Sequence, residues 1–167
     1  TNNNNYGLVV PDNIVLASGN SWSVSTFNTS LQPVGLTLSG EISGSTGLTK
    51  TGNGVLKLGN AANSFTGTSN VTNGTVEGAS DAVFGDSSNI IQLGSNSTAE
   101  GLRISGTFGT SRTIHLNNTN SGIDVTGSNV FTLNSAFTFA TATNNLQKND
   151  LGTLVLTQPQ SGWDGNL

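Results

Sequence analysis

The chain of 167 residues lacks cysteine and methionine, and only 8% of its residues are charged. Soluble globular proteins usually contain about 25% charged residues. Without cysteine there are no disulfides and no thiol ligands, so cysteine chemistry is excluded and no redox compartment can be inferred. Five Lys and Arg stand against nine Asp and Glu. A nucleic-acid partner is therefore not expected, because phosphate contacts need clustered cations.

Long apolar runs are also missing. No stretch approaches the roughly 18 apolar residues that cross a bilayer as a helix, so we expect no membrane insertion by this segment. The chain begins at Thr1 without a charged and apolar leader, which indicates a processed or excised segment. Asn, Ser, Thr and Gly take the place of Lys and Glu, and the apolar residues favour strands. The composition predicts an all-β protein.

Short apolar pairs recur along the chain, each bracketing one polar or small residue. This period of two is typical of half-buried strands, whereas a disordered chain of similar polarity lacks it. The pairs are Leu36/Leu38, Leu56/Leu58, Leu102/Ile104, Ile114/Leu116, Ile123/Val125, Phe131/Leu133, Phe137/Phe139 and Leu154/Leu156. Clusters of Gly, Asn and Ser separate them and predict frequent turns.

Two segments of the chain, residues 48–67 and 146–165, repeat one another. A shift of 98 residues without a gap superposes six identical residues and places Phe65 on Trp163. A sandwich of hairpins, the alternative all-β fold, gives no reason for such an echo, whereas stacked coils place equivalent residues at equivalent positions. The repeat positions are Leu48, Lys50, Gly54, Leu56, Leu58, Phe65 and Gly67 in the first copy and Leu146, Lys148, Gly152, Leu154, Leu156, Trp163 and Gly165 in the second.

These spacings predict a right-handed parallel β-helix, a solenoid of about seven or eight coils with roughly 20–24 residues in each. We expect residues 1–33 to form a divergent first coil or a cap, and residues 34–167 to form the coils that carry both copies of the repeat. Leu56 and Leu154 are expected to point inward at equivalent places in two coils. Asn, Ser and Thr at the turns are predicted to form hydrogen-bonded ladders between successive coils.

The segment "GLTKTGNGVLKLGNAANSFTGTSNVTNGTVEGA", residues 47–79, resembles the autotransporter-associated β-strand repeat of passenger domains in type V secreted proteins. The second copy departs from that pattern at Asp150-Leu151 and at Trp163-Asp164. The resemblance implies a β-helical segment of a secreted or surface-displayed passenger and says little about activity. The matching residues are Gly47, Leu48, Lys50, Gly52, Gly54, Leu56, Leu58, Phe65, Thr66, Gly67, Gly74, Thr75 and Val76.

Few residues suggest chemistry. His115, the only histidine, alternates with Ile114 and Leu116, so it should face outward, and no nucleophile motif surrounds it. Asp81 and Asp86 flank a predicted turn and are the candidate carboxylate pair of a glycosidase, although acids in turns more often cap them.

The repeated lysines, Lys50 and Lys148, are interpreted as structural positions with a packed stem and an exposed ammonium group. Threonines in "FTFATAT", residues 137–143, raise ice binding as an option, but the other coils do not supply a matching threonine row. We therefore predict no catalytic, cofactor-binding or metal-binding residues.

The predicted function is structural: an extracellular stalk or adhesin segment of a surface-displayed or secreted passenger, and not an enzyme. Two alternatives stay open, a subunit of an extracellular filament or sheath and a carbohydrate-active β-helix enzyme. The expected partners are neighbouring coils of a longer chain or further copies of the same chain, and a surface glycan or receptor stays open as a ligand. In the filament alternative, the strand-like Tyr6–Val10 completes the last coil of another copy.

Overall fold

The fold consists of short strands joined by tight corners. The computed structural model describes residues 7–17, 22–23, 35–94, 101–117 and 120–165. One 3₁₀ turn, η1, covers Asp81–Phe84. The strands of the described residues are β1 (Leu8–Val10), β2 (Ile14–Leu16), β3 (Trp22–Ser23), β4 (Gly35–Leu38), β5 (Ile42–Gly44), β6 (Thr49–Thr51), β7 (Val55–Leu58), β8 (Ser69–Val71), β9 (Thr75–Gly78), β10 (Ile91–Leu93), β11 (Leu102–Ile104), β12 (Phe108–Thr110), β13 (Ile114–Leu116), β14 (Asn120–Val125), β15 (Val130–Leu133), β16 (Thr138–Phe139), β17 (Asn145–Asn149) and β18 (Thr153–Leu156).

Each turn of the chain contributes to three faces. The first face is a seven-stranded sheet in the order β1-β4-β7-β9-β11-β14-β17. The second face is a six-stranded sheet in the order β3-β6-β8-β10-β13-β16. The third face holds the pair β2-β5 and the sheet β12-β15-β18. Strand pairing between neighbouring turns is parallel, for example β4 with β7 and β10 with β13. The predicted parallel β-solenoid is therefore confirmed at the level of the fold class.

The prediction of seven or eight coils was wrong, because the stack amounts to about five turns. The number of residues in one turn varies more than the predicted range of roughly 20–24. Leu36 pairs with Leu56, 20 residues later, but Leu8 pairs with Leu36, 28 residues later, and Val76 pairs with Leu102, 26 residues later. The seven-stranded sheet also includes strands from the first and last turns, which the described residues cover only in part.

The core consists of apolar rows that run along the stack. One row on the seven-stranded sheet aligns Leu36, Leu56, Val76, Leu102 and Ile123 in register. All of these except the half-buried Leu36 are buried. The alternation that predicted the strands is thus the alternation between core and surface.

A second row of the same sheet contains a gap. Its members are Leu38, Leu58, Gly78 and Ile104, so a glycine stands where the neighbouring turns have large side chains. Phe84 fills the space from the third face, since a Cβ atom on Gly78 would lie 2.4 Å from its ring. The aromatic packing continues through the next two turns, because the Phe84, Phe108 and Phe131 ring centroids are 6.4 and 5.2 Å apart in succession.

Asparagines connect successive turns at the corners, as predicted for the polar ladders. Asn63 accepts the Ile42 N–H at 2.8 Å and donates to the Val83 carbonyl at 2.7 Å, so it links three turns. Asn73 donates to the Asn53 side chain of the preceding turn at 2.6 Å. The buried corner asparagines satisfy backbone groups that strands cannot pair once the chain bends.

The two copies of the repeat occupy different faces. In the first copy, β6 lies on the six-stranded sheet and β7 on the seven-stranded sheet; in the second, β17 lies on the seven-stranded sheet and β18 on the third face. Leu56 is buried and Leu154 packs against the core, as expected, but the two leucines lie on different faces of the coil. The repeat specifies a local corner between two strands, and a three-sided coil can use one corner at more than one of its bends.

The predicted segment of residues 1–33 contains β1, β2 and β3. Residues 1–6, 18–21 and 24–34 lie outside the described residues.

Candidate functional site

The first copy of the repeat builds a corner around a buried lysine, which we call the first lysine corner (Lys50 to Gly54). Lys50 is the inward residue of β6 and is fully buried. Its Nζ donates to the carbonyl oxygens of Thr51 at 2.8 Å, Gly52 at 2.6 Å and Asn73 at 3.0 Å. Gly52 has a positive φ of 73°, which turns its carbonyl toward the ammonium group. The expectation of an exposed ammonium was wrong for this residue.

Burial lowers the pKa of Lys50 from 10.5 to about 8, since an ammonium group loses hydration in the interior. Three carbonyl oxygens match the three donors of the group and partly replace that hydration. Lys50 is therefore charged at neutral pH. No carboxylate is needed for this arrangement, and the lysine connects its own corner, through Thr51 and Gly52, to the following turn, through Asn73.

The second copy builds a similar corner, the second lysine corner (Lys148 to Gly152). Lys148 Nζ donates to the carbonyl oxygens of Asn149 at 2.9 Å and Asp150 at 2.6 Å. Asp150 has a positive φ of 63° and takes the place of Gly52. Aspartate tolerates this conformation better than most residues because its side chain bonds the local backbone, here the Leu151 N–H at 2.6 Å.

The candidate carboxylates of a glycosidase serve other contacts. Asp81 accepts from the buried guanidinium of Arg112 at 2.7 Å, and Arg112 also donates to the carbonyls of Asp81, Gly85 and Asp86. The Arg112 side chain thereby holds the 3₁₀ turn of the preceding coil. Asp86 caps the next bend by accepting from the Ser88 N–H and hydroxyl at 2.9 and 2.6 Å. The hydrogen bonds from Ser88 lower the pKa of Asp86.

Four charged residues align on the outer side of the seven-stranded sheet. This charge row comprises Lys57, Glu77, Arg103 and Asp124, which are register neighbours in successive turns. Lys57 Nζ lies 3.0 Å from Glu77 Oε1, and Arg103 Nε lies 2.8 Å from Asp124 Oδ2. Alternating charges along the axis connect turns on the outer side of this sheet, where Asp124 is buried, while the apolar rows connect them on the inner side.

The outer side of the six-stranded sheet has a different character. Its central row contains Thr49, Asn70, Gln92, His115 and Thr138, all in register. His115 faces outward as predicted, and its Nδ1 lies 2.8 Å from the Thr138 hydroxyl. The row is mixed, so the threonines do not form the continuous ladder that an ice-binding face needs.

The remaining repeat residues have structural positions. Phe65 is fully buried in the core, and Trp163 packs against the core in part and donates from Nε1 to the Asn144 carbonyl. A Cβ atom on Gly67 would lie 2.7 Å from the Gly47 nitrogen, and one on Gly165 would lie 2.0 Å from the Asn144 oxygen. The two glycines therefore allow close approach of neighbouring turns.

Large apolar side chains are exposed mainly at the two ends of the stack. In the first turn, Leu8, Val9 and Val15 are 63%, 59% and 70% exposed; in the last turn, Leu151 is 89% exposed. Among the described residues, Ile90 is the other exposed large apolar side chain; it is 37% exposed and lies in the middle of the stack.

The described residues contain neither a cluster of metal-ligating side chains nor a helix suited to cross a membrane. They contain no group of three His, Cys, Asp or Glu side chains placed to hold a metal ion. No helix within them has the length and apolar character for crossing a membrane. Comparison of the chain with family models, with curated proteins and with solved structures found no significant match.

Sequence reasoning missed the contacts of the cations. Arg112 and Asp81 are 31 positions apart, so neither carries a local motif. The recurrence of Lys50 as Lys148 was visible in the sequence, but the positive φ two residues later, at Gly52 and Asp150, appears only in the structure.

Proposed function

We propose that the chain is a structural segment, an extracellular stalk or adhesin segment of a surface-displayed or secreted passenger. The observation that carries the proposal is the use of the five Lys and Arg residues of the chain. Lys50 and Lys148 bind corner carbonyls, and Lys57, Arg103 and Arg112 pair with acids of neighbouring turns. Four of the five cations, Lys50, Lys57, Arg103 and Arg112, thus connect neighbouring turns, which is what a load-bearing spacer requires.

The extracellular part of the proposal is supported by composition and resemblance. The chain has the Gly-Leu-x-Lys-x-Gly-x-Gly pattern at residues 47–54, which resembles the repeat of secreted passengers. A stack with few charges and many paired backbone groups also offers few flexible sites to a protease. The same proposal includes a right-handed coil, because parallel strands joined by a crossover are almost always right-handed.

Removal of one whole turn tests the structural role. Deletion of residues 55–74 joins Gly54 to Thr75 and brings Leu36 opposite Val76 without a change of register. Lys50 then keeps the carbonyls of Thr51 and Gly52, the same number of acceptors that Lys148 has. We expect a folded protein, shorter by about 4.8 Å along the stack, with an unchanged strand signal in circular dichroism.

Deletion of residues 55–64 is the matched control. It removes half a turn, so Phe65 and its neighbours enter the position of β7 and the apolar rows no longer align. We expect this variant to unfold. Equal loss of structure in both deletions would contradict a modular stalk.

Location is tested on intact cells of the source organism with an antibody raised against the chain. Labelling without permeabilisation is expected, and labelling only after permeabilisation would reject the extracellular role. The competing enzymatic role predicts turnover of a polysaccharide that is lost in Asp81→Asn while the protein stays folded.

A further inference from the structure

Two Asn-Gly dipeptides occupy equivalent corners of successive turns, at residues 53–54 and 73–74. Val55 pairs with Thr75 in register, and the same offset places Asn53 beside Asn73, whose side chain donates to it. An asparagine before a glycine is prone to ring closure, in which the glycine nitrogen attacks the asparagine carboxamide carbon, because glycine has no side chain to shield that nitrogen. The two corners are therefore matched candidates for a chemical modification that needs no enzyme.

The side chains of the two asparagines are held differently. The Asn73 carboxamide is fixed at both ends, since its Nδ2 donates to Asn53 Oδ1 at 2.6 Å and its Oδ1 accepts the Gly74 N–H at 2.8 Å. The second contact places the carboxamide against the nitrogen that attacks it, so ring closure loses little conformational freedom. Within the described corner, the exposed Asn53 side chain makes no such contact with the Gly54 N–H.

Lys50 contacts the peptide group that joins Asn73 to Gly74. Its Nζ donates at 3.0 Å to the main-chain carbonyl oxygen of Asn73, and the carbon of that carbonyl is bonded to the Gly74 nitrogen. A charge-assisted hydrogen bond draws electron density from the amide and makes its N–H more acidic. Loss of this proton is the first step of ring closure. The other two donors of Lys50 bind carbonyls of its own corner, and neither of these belongs to Asn53.

We propose that Asn73 is a site of spontaneous deamidation, which Lys50 promotes and directs toward isoaspartate. The Gly74 nitrogen loses its proton to solvent and forms a bond to Asn73 Cγ, while the bond between Cγ and Nδ2 breaks. Nδ2 leaves with one added proton as ammonia, and the product is a succinimide ring. A water molecule then opens the ring at one of its two carbonyl carbons, without any oxidant or reductant. This modification goes beyond the stalk role and does not depend on it.

The position of Lys50 decides which bond the water breaks. Its ammonium group binds the main-chain carbonyl oxygen of residue 73, so it stabilises the oxyanion that forms when water attacks that carbon. The bond from this carbon to the Gly74 nitrogen then breaks, and the chain stays linked through Cγ, which is isoaspartate. The new carboxylate stands on the carbon whose oxygen already accepts from Lys50, so the buried ammonium group gains a counter-ion. Attack at Cγ gives ordinary aspartate instead.

Incubation of the 167-residue chain at physiological temperature and neutral pH tests the proposal. Mass spectrometry with electron-transfer fragmentation quantifies asparagine, aspartate and isoaspartate at positions 53 and 73. The same chain in concentrated urea is the reference, because there the two sites differ only in their sequence neighbours. We expect folding to raise the rate at Asn73 relative to that at Asn53 by about tenfold or more, and to raise the isoaspartate fraction at position 73 above its value in urea.

Lys50→Met removes the ammonium group and should abolish both effects, lowering the rate ratio about tenfold and returning the isoaspartate fraction to its value in urea. Lys57→Met, a surface change on the neighbouring strand, is the matched control and should keep both. Circular dichroism establishes that each variant is folded. A folded wild type with the rate ratio and isoaspartate fraction of the urea sample overturns the proposal, whether or not Lys50→Met folds. An unchanged isoaspartate fraction in folded Lys50→Met overturns the role of Lys50.

Discussion

At the scale of single residues, Lys50 takes an inward position that the following turns fill with Val71, Leu93 and Leu116. A buried cation usually needs an anion, since desolvation of an unpaired charge costs several kcal/mol. Here three carbonyl dipoles replace the anion. Removal of the ammonium group therefore leaves buried carbonyls without a donor. An unsatisfied buried acceptor costs more free energy than the net gain from one hydrogen bond.

Lys50→Met is expected to lower the free energy of unfolding by about 2–4 kcal/mol, because methionine fills the space but donates nothing to the three carbonyls. Lys148→Met should cost about 1 kcal/mol or less, since water reaches the partly exposed corner. Lys57→Met, which breaks a surface ion pair, is the control and should have a similarly small effect. Urea unfolding followed by circular dichroism measures all three, and equal losses in the three variants would contradict the role assigned to Lys50.

The pKa of Lys50 also predicts a dependence of stability on pH. Its folded pKa of about 8 lies below the ordinary value of 10.5, so between these values the unfolded chain binds more protons than the folded one. Stability then rises with pH, by about 1.4 kcal/mol per pH unit and about 3 kcal/mol over the window. Below pH 8 the group contributes no slope, because it is protonated in both states.

Urea unfolding of wild type and Lys50→Met at intervals from pH 7 to pH 11 isolates this contribution, as other basic groups titrate equally in both proteins. The difference in stability between them should change across the window from 8 to 10.5. A constant difference would show that the carbonyls hold the pKa of Lys50 near its ordinary value.

At the scale of elements, the 3₁₀ turn η1 replaces a strand on the third face and sends Phe84 into the space above Gly78. The two residues are complementary in volume. A larger residue at position 78 alone, or a smaller residue at position 84 alone, is not tolerated in a core packed at normal density.

Gly78→Leu should destabilise the protein by more than about 2 kcal/mol, since the new side chain overlaps the Phe84 ring. Phe84→Ala should cost about 3 kcal/mol through the cavity that it leaves. The double variant should be more stable than the sum of the two losses, because leucine then occupies the vacated volume. Additive losses in a double-mutant cycle would show that the two positions do not share one space.

Much of this element pattern follows from the sequence. Ile114 and Leu116 are buried and His115 faces outward because alternate residues of a strand point to opposite sides. The residues that pair between neighbouring turns were harder to predict from the sequence. Members of the charge row are 20, 26 and 21 positions apart, so their contacts appear only when the length of each turn is known.

The inward position of Lys50 was unpredictable for another reason. Its acceptors are backbone carbonyls, which every residue has, so no residue type marks the site in the sequence. The Gly78 gap is similar, because the residue that fills it comes from another face of the coil. The repeat could be recognised in the sequence, but it specifies a corner between two strands and not a whole coil.

At the scale of the whole molecule, each turn contacts only the turns directly above and below it. Stability in such a stack is close to a sum of single-turn terms and nearest-neighbour terms. Central turns have two neighbours and the end turns have one. Opening of the structure should therefore begin at the ends.

Hydrogen exchange, measured by mass spectrometry at a concentration where the chain is monomeric, should show this gradient. Amides of β7, β9 and β11 are expected to exchange at least about tenfold more slowly than those of β1 and β18, because their opening requires the loss of two interfaces. Uniform protection across the stack would indicate a single cooperative unit and would contradict the nearest-neighbour description.

The parallel ladders also fix how the molecule responds to a pulling force. Backbone hydrogen bonds between turns point along the stack, so tension between its two ends loads them one turn at a time and peels the end turn first. A peeled turn of 20–28 residues releases roughly 70–95 Å of extended chain. If the chain serves as the proposed stalk, it would lengthen in steps under load and so limit the peak force that it transmits.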